Sequence, residues 1–252
     1  MKYINLFGIA LLILITGCST AQKPETTTTT NTSSTPSSST TTATTTSTIT
    51  STNIVLKGSI NERQSSLGYA NFYGEVQNNG STTVNFVKVH ITMKNSSGNV
   101  IATDYSYIDG TVLKTSSNTN TCLRPGDTGA FYVSTTTNYS DVASFTYLID
   151  WENFSTSTPM ASFEIVGSIT EGSDYFGKRE YLGEIKNKST TATTFVKIIF
   201  VSKDSSGKII DISYSYVTGT DVPAGATRSF DVTTSTLSTE VASYYYLFDW
   251  SE

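Results

Sequence analysis

The feature that most constrains the fold is an internal repeat that covers most of residues 53–252. Up to Gly110, short motifs recur at a constant shift of 109 residues, and after Gly110 the shift falls to 99. The recurring motifs begin with Gly58-Ser59-Ile60, Gly74-Glu75-Val76-Gln77-Asn78, Phe86-Val87-Lys88-Val89, Ser96-Ser97-Gly98, Tyr105-Ser106-Tyr107 and Asp150-Trp151. The first copy therefore carries ten extra residues between Gly110 and Gly126. A repeat of this length predicts two tandem domains, because solenoid units are shorter, about 20–50 residues.

Both copies have the residue pattern of β-strands. Val87, Val89, Ile91 and Met93 alternate with polar residues, which is the period of a half-buried strand. Turn clusters with Ser and Gly separate the apolar runs, and no sustained helical stripe occurs in residues 53–252. We therefore predict an all-β fold with two tandem immunoglobulin-like antiparallel β-sandwiches of roughly seven strands each. Their predicted bounds are residues 53–152 and 160–252.

The N-terminal residues have the pattern of a bacterial lipoprotein signal. Lys2 precedes an apolar run over residues 4–15, which is shorter than the roughly 20 residues that span a bilayer. Ile15-Thr16-Gly17-Cys18 resembles the lipobox. This resemblance implies a signal peptide over residues 1–17 and a lipid anchor, with palmitate-type acyl chains, on Cys18. Ser19 after the cysteine resembles an outer-membrane sorting signal, should the host have two membranes.

The segment after Cys18 is poor in residues that could form a core. Of the 34 residues at positions 19–52, 25 are Ser or Thr. Such a segment buries too little apolar surface to offset its conformational entropy, so we predict a disordered Thr/Ser-rich linker over residues 18–52. The same composition is also typical of O-glycosylated stalks.

The repeated motifs resemble the FxLYD domain, a family of small β-sandwich modules in prokaryotic surface proteins and lipoproteins. The shared order is Gly-Glu-Val/Ile-x-Asn, Val-Lys-Val/Ile, a Ser-Gly turn, Pro-x-Gly or Pro-Gly, a Phe-x-Val strand and a closing Leu-x-Asp. The endings at residues 145–150 and 244–249 keep an aromatic residue, Leu and Asp, but the spacing and the Tyr depart from the family pattern. The resemblance implies the fold and a surface location, and it implies no agreed activity.

Residues suited to catalysis or metal binding are scarce. His90 is the one histidine, and Ile199 replaces it in the second copy, so chemistry common to both copies does not involve it. A lone His and a lone Cys cannot form the usual zinc site. Cys122 is the only cysteine that remains once Cys18 is acylated, which leaves either an intermolecular disulfide or an incidental loop thiol. We expect no cofactor and no metal.

Two acidic positions recur in both copies, as Glu75 with Glu184 and as Asp150 with Asp249. Paired carboxylates could serve a glycosidase or hold calcium. Repeated acids in a duplicated sandwich also arise as turn hydrogen bonds or strand-end ion pairs, and we favour that interpretation. The chain is therefore predicted not to be an enzyme.

Aromatic residues are the remaining candidates for a binding site. Trp151 and Trp250 occupy equivalent positions, and the tyrosine pairs share one strand face in each copy; the pairs are Tyr105 with Tyr107 and Tyr214 with Tyr216. The tryptophans fit core or inter-domain packing. The alternative is an exposed platform for a sugar or a protein partner, since Tyr and Trp give large contact area at low entropy cost.

The net charge of −5 argues against a nucleic-acid partner. The sequence predicts a membrane-anchored, non-catalytic surface lipoprotein of the cell envelope, facing away from the cytoplasm. Its two domains would act as structural or binding modules for an envelope protein, polymer or glycan. The alternatives are an accessory or solute-capture lipoprotein of an envelope transporter or enzyme complex, and a hydrolase.

Overall fold

The structure, a computed structural model, describes residues 44–47, 53–110, 112–115, 118–120, 122–154 and 161–251. The predicted signal peptide over residues 1–17, the predicted lipidation site Cys18 and most of the predicted linker lie outside the described residues. Within the described ranges, no helix has the length and apolar character that a membrane span requires.

The chain is built from β-strands in both copies. Two short 3-10 helices, Tyr139–Asp141 and Ser238–Glu240, precede the last strand of each copy. The strands of the described residues are β1 (Thr44–Ser47), β2 (Ile54–Gln64), β3 (Tyr69–Asn78), β4 (Val84–Lys94), β5 (Val100–Tyr107), β6 (Val112–Thr115), β7 (Asn118–Asn120), β8 (Thr128–Asn138), β9 (Ser144–Asn153), β10 (Phe163–Ser173), β11 (Lys178–Asn187), β12 (Thr193–Lys203), β13 (Ile209–Tyr216), β14 (Asp221–Val222), β15 (Thr227–Leu237) and β16 (Ser243–Ser251).

Each copy is a sandwich of two sheets. In the first copy, sheet I has the order β1-β9-β4-β5 and sheet II the order β2-β3-β8. In the second copy, sheet III has the order β13-β12-β16-β6-β7, with β14 beside β12, and sheet IV the order β10-β11-β15. The long strands pair antiparallel, while β1 and β6 join β9 and β16 in parallel. The predicted all-β fold of two tandem immunoglobulin-like sandwiches is confirmed.

Alternating side chains of the facing sheets fill each core. In β4, Val87, Val89, Ile91 and Met93 are all fully buried, as their period of two predicted. They pack in one cluster with Phe72 and other residues of sheet II. In the second copy, Phe200 stacks on Tyr181 with ring centroids 4.1 Å apart. Two separate cores therefore form, one for each copy.

The repeated Gly-Glu-x-x-Asn motif has a structural role. A Cβ atom on Gly74 would collide with the ring of Phe131, and one on Gly183 would lie 2.7 Å from the ring of Phe230. The motif's asparagines are fully buried. The Asn78 amide donates to two backbone carbonyls at 2.8 Å, and the Asn187 amide donates to two at 3.0 and 2.9 Å in the second copy. Because buried polar groups require partners, each asparagine joins the loops around it.

The two sandwiches pack against each other through sheets II and III. The contact contains a cluster of buried residues from both copies, with Tyr73 and Ala130 on one side and Val201 and Ile209 on the other. Polar contacts surround it. They are Lys203 Nζ to Glu75 Oε2 at 3.1 Å, the Tyr245 hydroxyl to Glu75, Asn61 to the Ile209 carbonyl at 2.7 Å, and Arg63 to Glu240 at 2.6 Å. Both copies accordingly belong to one compact unit.

The ten-residue insertion of the first copy reaches the second copy. Its strand β6 pairs in parallel with β16, and β7 extends the same sheet. At its end, Cys122 packs in the core cluster of the second copy, and the adjacent Leu123 packs in that of the first. Cys122 is only 4% exposed. The Cys122 side chain is therefore a core packing residue and not an incidental loop thiol. A buried thiol is also not available for a disulfide to another molecule.

Part of the segment predicted as a disordered linker has regular structure. The backbone of Thr44–Ser47 pairs with Ser144–Tyr147 of β9 along the edge of sheet I. This differs from the prediction for these four residues. An exposed sheet edge offers unpaired N–H and C=O groups to any extended chain, so pairing there needs no apolar side chain. The rest of that prediction stays untested.

Burial of Glu62 is expected to make the stability of the first copy depend on pH. The counterpart of Glu62, Glu171, forms an ion pair with Arg179 at 3.0 Å, but Ala70 stands at the position of Arg179 in the first copy. Burial raises the pKa of Glu62 from 4.5 to about 7. The unfolded chain then loses this proton at lower pH than the folded chain does. Stability should therefore fall as the pH rises from 4.5 to about 7 and stay level above it.

We expect Glu62→Gln to remove this decline and to stabilise the protein by about 1–2 kcal/mol at about pH 8, a value reduced because the side chain is partly exposed. Urea unfolding at about pH 4.5 and 8 measures it. The matched control is Glu171→Gln, which should lower stability because it removes the partner of Arg179. An equal dependence on pH in wild type and Glu62→Gln would contradict the prediction.

Candidate binding surface

The outer face of sheet I carries the tyrosine pair of the first copy. Side chains on this face lie in cross-strand rows, each with one residue from β9, β4 and β5. The first row is Asp150-Lys88-Tyr107, the second is Leu148-His90-Tyr105, and the third is Thr146-Thr92-Thr103. The Lys88 ammonium lies 5.0 Å from the ring centre of Tyr105 and 5.1 Å from that of Tyr107. The face thus combines a cation with exposed aromatic rings.

Phe86 extends this aromatic surface through a β-bulge. The register between β4 and β9 shifts after Asn85, and the backbone of Phe86 has a φ of 50°. The second copy repeats the bulge, with a φ of 47° at Phe195. A bulky residue rarely adopts this left-handed region, so the same local strain is maintained twice. The bulge places the Phe86 ring 6.4 Å from that of Tyr107.

The equivalent face of the second copy has the same register but different neighbours. Its rows are Asp249-Lys197-Tyr216, Leu247-Ile199-Tyr214 and Tyr245-Val201-Ile212. The first row is identical to that of the first copy, whereas the third row has changed from three threonines to three apolar or aromatic residues. That third row packs against sheet II of the first copy. The outer faces of sheets I and III therefore have the same arrangement of rows. Only in the second copy does part of this face pack against the other copy.

Lys197 is the centre of an ion-pair cluster at the junction of the copies. Its ammonium lies 2.8 Å from Asp109 of the first copy and 2.9 Å from Asp249 of its own. The Asp109 backbone is held in place by hydrogen bonds in both directions with Ala130 of β8. Burial by itself lowers the pKa of Lys197, but the two carboxylates outweigh it, so the pKa is raised above its ordinary value. Lys197 is thus permanently charged and only 12% exposed at its side chain.

The aromatic residues singled out from the sequence divide into two groups. Tyr105, Tyr107, Tyr214 and Tyr216 are all exposed, and each pair forms an edge-to-face contact at about 6 Å. Trp250 is buried in the second core, beside Phe163, and Trp151 packs against the first core. The exposed-platform alternative thus fails for Trp250, and core packing explains it, because the strand position after Asp249 faces inward.

The repeated acids do not come together. Glu75 lies on sheet II at the junction of the copies, where it contacts Lys203 and Tyr245. Asp150 lies on the outer face of sheet I, and its carboxylate is 3.9 Å from His90 Nε2. Since sheets I and II form opposite sides of the first sandwich, no carboxylate pair of the glycosidase kind arises from these two residues. No group of metal-binding side chains occurs in the part of the chain that the structure describes.

The sequence pattern did not single out one exposed aromatic pair of the second copy. Tyr175 and Phe176 form the tip of the hairpin between β10 and β11 and contact each other edge to face at 5.4 Å. The Asp174 carboxylate accepts the backbone N–H groups of Phe176 and Lys178, which fixes this turn. The first copy has Ser66 and Leu67 at the tip, so a comparison of the copies would have shown the difference.

A cleft of about 290 Å³ lies between the copies, near Tyr73, Tyr132 and Ile210. Arg63 borders it but is already bound to Glu240 and to the Ile210 carbonyl. The buried Asn71 Oδ1 has no hydrogen-bond donor among the described residues. The cleft is at the small end of the range for ligand pockets, about 300–1,000 Å³.

No family model matches the chain, and no curated protein matches it. Among solved structures, the chain is similar to red sea bream transglutaminase, with a TM-score of 0.23 and 10% identity. The similarity covers 80% of this chain and 32% of that one, so this chain spans about a third of the transglutaminase. The resemblance to the FxLYD family stays a prediction.

Proposed function

We propose that this protein is a membrane-anchored surface lipoprotein whose two docked β-sandwiches form a rigid, non-catalytic binding head. The lipid on Cys18 holds the chain in the cell envelope, on the side away from the cytoplasm. It is the outer membrane that holds the anchor where the host has two membranes. The partner is an envelope protein, polymer or glycan, and nucleic acid is not among the partners.

The observation that carries the proposal is the exposed row of Asp150, Lys88 and Tyr107 on the outer face of sheet I. This face points away from the second copy, because the second copy packs on sheet II. Exposed tyrosines beside a cation are common in binding surfaces. The strained bulge at Phe86 adds a third ring, and strain of this kind concentrates at functional sites.

The packing of the two copies supports the head as a single unit. A junction with buried apolar residues, three ion pairs and a shared sheet resists bending between the domains. A rigid head presents its outer face in a constant orientation, which reduces the entropy cost of binding.

Lipid anchoring and partner binding are testable with one pair of strains. In wild type, the protein is expected to take up a clickable palmitate and to partition into the detergent phase of Triton X-114. Cys18→Ala should abolish the label and move the protein to the aqueous phase, because no acyl chain remains. Cys122→Ala is the matched control and should leave both readouts unchanged. Equal labelling of wild type and Cys18→Ala would contradict the anchor.

Photo-crosslinking from the outer face tests the binding role. A photoreactive residue at Thr103 is expected to give a defined crosslinked species on whole cells, since this position is next to the tyrosines. The same residue placed at Asp231 on sheet IV, an exposed strand position away from this face, serves as the control. Equal products from both positions, or none from either, would contradict a binding surface on sheet I.

A further inference from the structure

In the second copy, the outer face of sheet III contacts a segment of the first copy. Asp109 and Gly110 belong to the first copy, yet both contact the outer face of sheet III. The Asp109 carboxylate binds Lys197 at 2.8 Å. Gly110 lies so close to Leu247 that a Cβ atom there would be 2.7 Å from that side chain. An Asp-Gly segment is thus an intramolecular ligand of this face, with the acid on the lysine and the glycine against the leucine.

The two residues that receive this segment are both retained in the first copy. Lys88 corresponds to Lys197 and Leu148 to Leu247, in the same register on β4 and β9. The third row, which packs against the first copy in the second sandwich, is not retained, since the third row of the first copy consists of threonines. The lysine and the leucine that receive Asp-Gly are therefore kept in the first copy, although the third-row docking residues are not.

In the first copy this receptor is uncovered. Leu148 is exposed, and among the described residues no carboxylate forms an ion pair with Lys88. Asp150, the counterpart of the buried Asp249, is 59% exposed at its side chain against 9%. The second copy shows that a lysine at this position accommodates a row neighbour and an incoming carboxylate together. Charge complementarity therefore favours an acidic ligand on this face.

We propose that the outer face of sheet I binds an extended, Asp-Gly-containing segment of a partner protein. The aspartate of that segment pairs with Lys88, and its glycine packs against Leu148. The exposed rings of Tyr105 and Tyr107 flank the lysine and cover the neighbouring residues of the segment. The glycine is a specificity element, because a larger residue would collide with the leucine as it would at Gly110. This inference rests on the binding function proposed above and names its partner class.

The test uses the full-length chain in detergent micelles and a fluorescein-labelled peptide, Tyr-Ile-Asp-Gly-Thr-Val, which copies residues 107–112. Fluorescence anisotropy is expected to show saturable binding that weakens with added salt. Replacing the peptide's Asp by Asn, or its Gly by Val, should weaken binding about fivefold or more. Lys88→Gln in the protein should do the same. The matched control Lys94→Gln, on the same strand face, should change binding less than about twofold.

Two results would overturn the inference. One is binding that is unaffected by the Asn peptide or by Lys88→Gln. The other is no peptide binding while a labelled oligogalacturonate binds through Lys88, which would assign the face to an acidic glycan. The assay needs no membrane, so its failure is distinguishable from failure of the proposed function. A crosslinked partner that persists in Lys88→Gln cells would leave the binding head standing and overturn only the Asp-Gly assignment.

Discussion

Replacing three docking residues of sheet III by their counterparts on the outer face of sheet I is expected to separate the two sandwiches while each stays folded. The variant combines Ile199→His, Val201→Thr and Tyr245→Thr. Ile199 and Val201 are fully buried, and such a side chain contributes about 1.5–3 kcal/mol. Tyr245 also donates a hydrogen bond to Glu75, which would be lost. The docking free energy should therefore fall by about 4–7 kcal/mol.

Small-angle scattering should show a larger radius of gyration for this variant, and calorimetry should show two unfolding transitions in place of one. The matched control makes the reverse exchange in the first copy, His90→Ile, Thr92→Val and Thr146→Tyr. That face does not contact the second copy, so the radius of the monomer should stay unchanged. The new apolar patch should instead promote self-association. A single transition and an unchanged radius in the first variant would mean that these residues do not hold the copies together.

The sandwich of each copy could be predicted from local patterns. Alternation at Val87, Val89 and Ile91 encodes one buried face, and it holds because the side chains of a strand point alternately to opposite sides. The second copy shows the same pattern, so two segments of the chain support the same strand prediction. The tyrosine surface followed from the same reasoning, because Tyr105 and Tyr107 occupy the outward positions.

The docking of the copies could not be predicted in this way, although the sequence contains a trace of it. Ile198, Ile199, Phe200 and Val201 form a continuous apolar run, which is typical of a strand buried on both faces. The corresponding run in the first copy alternates. Only the register shows that Val201 shares a row with Tyr245 and Ile212, and register depends on tertiary structure. The replacement of His90 by Ile199 was visible, but its cause was not.

The sheet that the ten-residue insertion joins could not be predicted either. Residues 111–121 are rich in Thr, Ser and Asn, and such a composition carries no signal for the sheet that it joins. Parallel pairing of β6 with β16 is made by backbone groups, which every residue carries. Cys122 looked like a loop thiol for the same reason, since its burial is caused by the second copy and not by its sequence neighbours.

Lys197→Met is expected to destabilise the protein by about 3–5 kcal/mol. The change removes the cation from between Asp109 and Asp249, whose carboxylates lie 2.8 and 2.9 Å from it. Breaking a buried ion pair on one side is costly because the remaining charges stay in a poorly solvated place. Methionine has a similar length and retains the aliphatic packing, so the loss reports on the charge. Urea unfolding at neutral pH measures the change in free energy.

Lys88→Met is the matched control, because it makes the same change at the same position of the other copy. Lys88 has no ion pair among the described residues, and its ammonium contacts only the rings of Tyr105 and Tyr107. Loss of an exposed contact of this kind should cost no more than about 0.5–1 kcal/mol. The double variant Lys197→Met with Asp109→Leu should recover part of the lost stability, since one of the stranded carboxylates is then gone. Equal losses at Lys197 and Lys88 would show that Asp109 contributes nothing to the junction, and the use of Asp109-Gly110 as the template for a ligand would then fail with it.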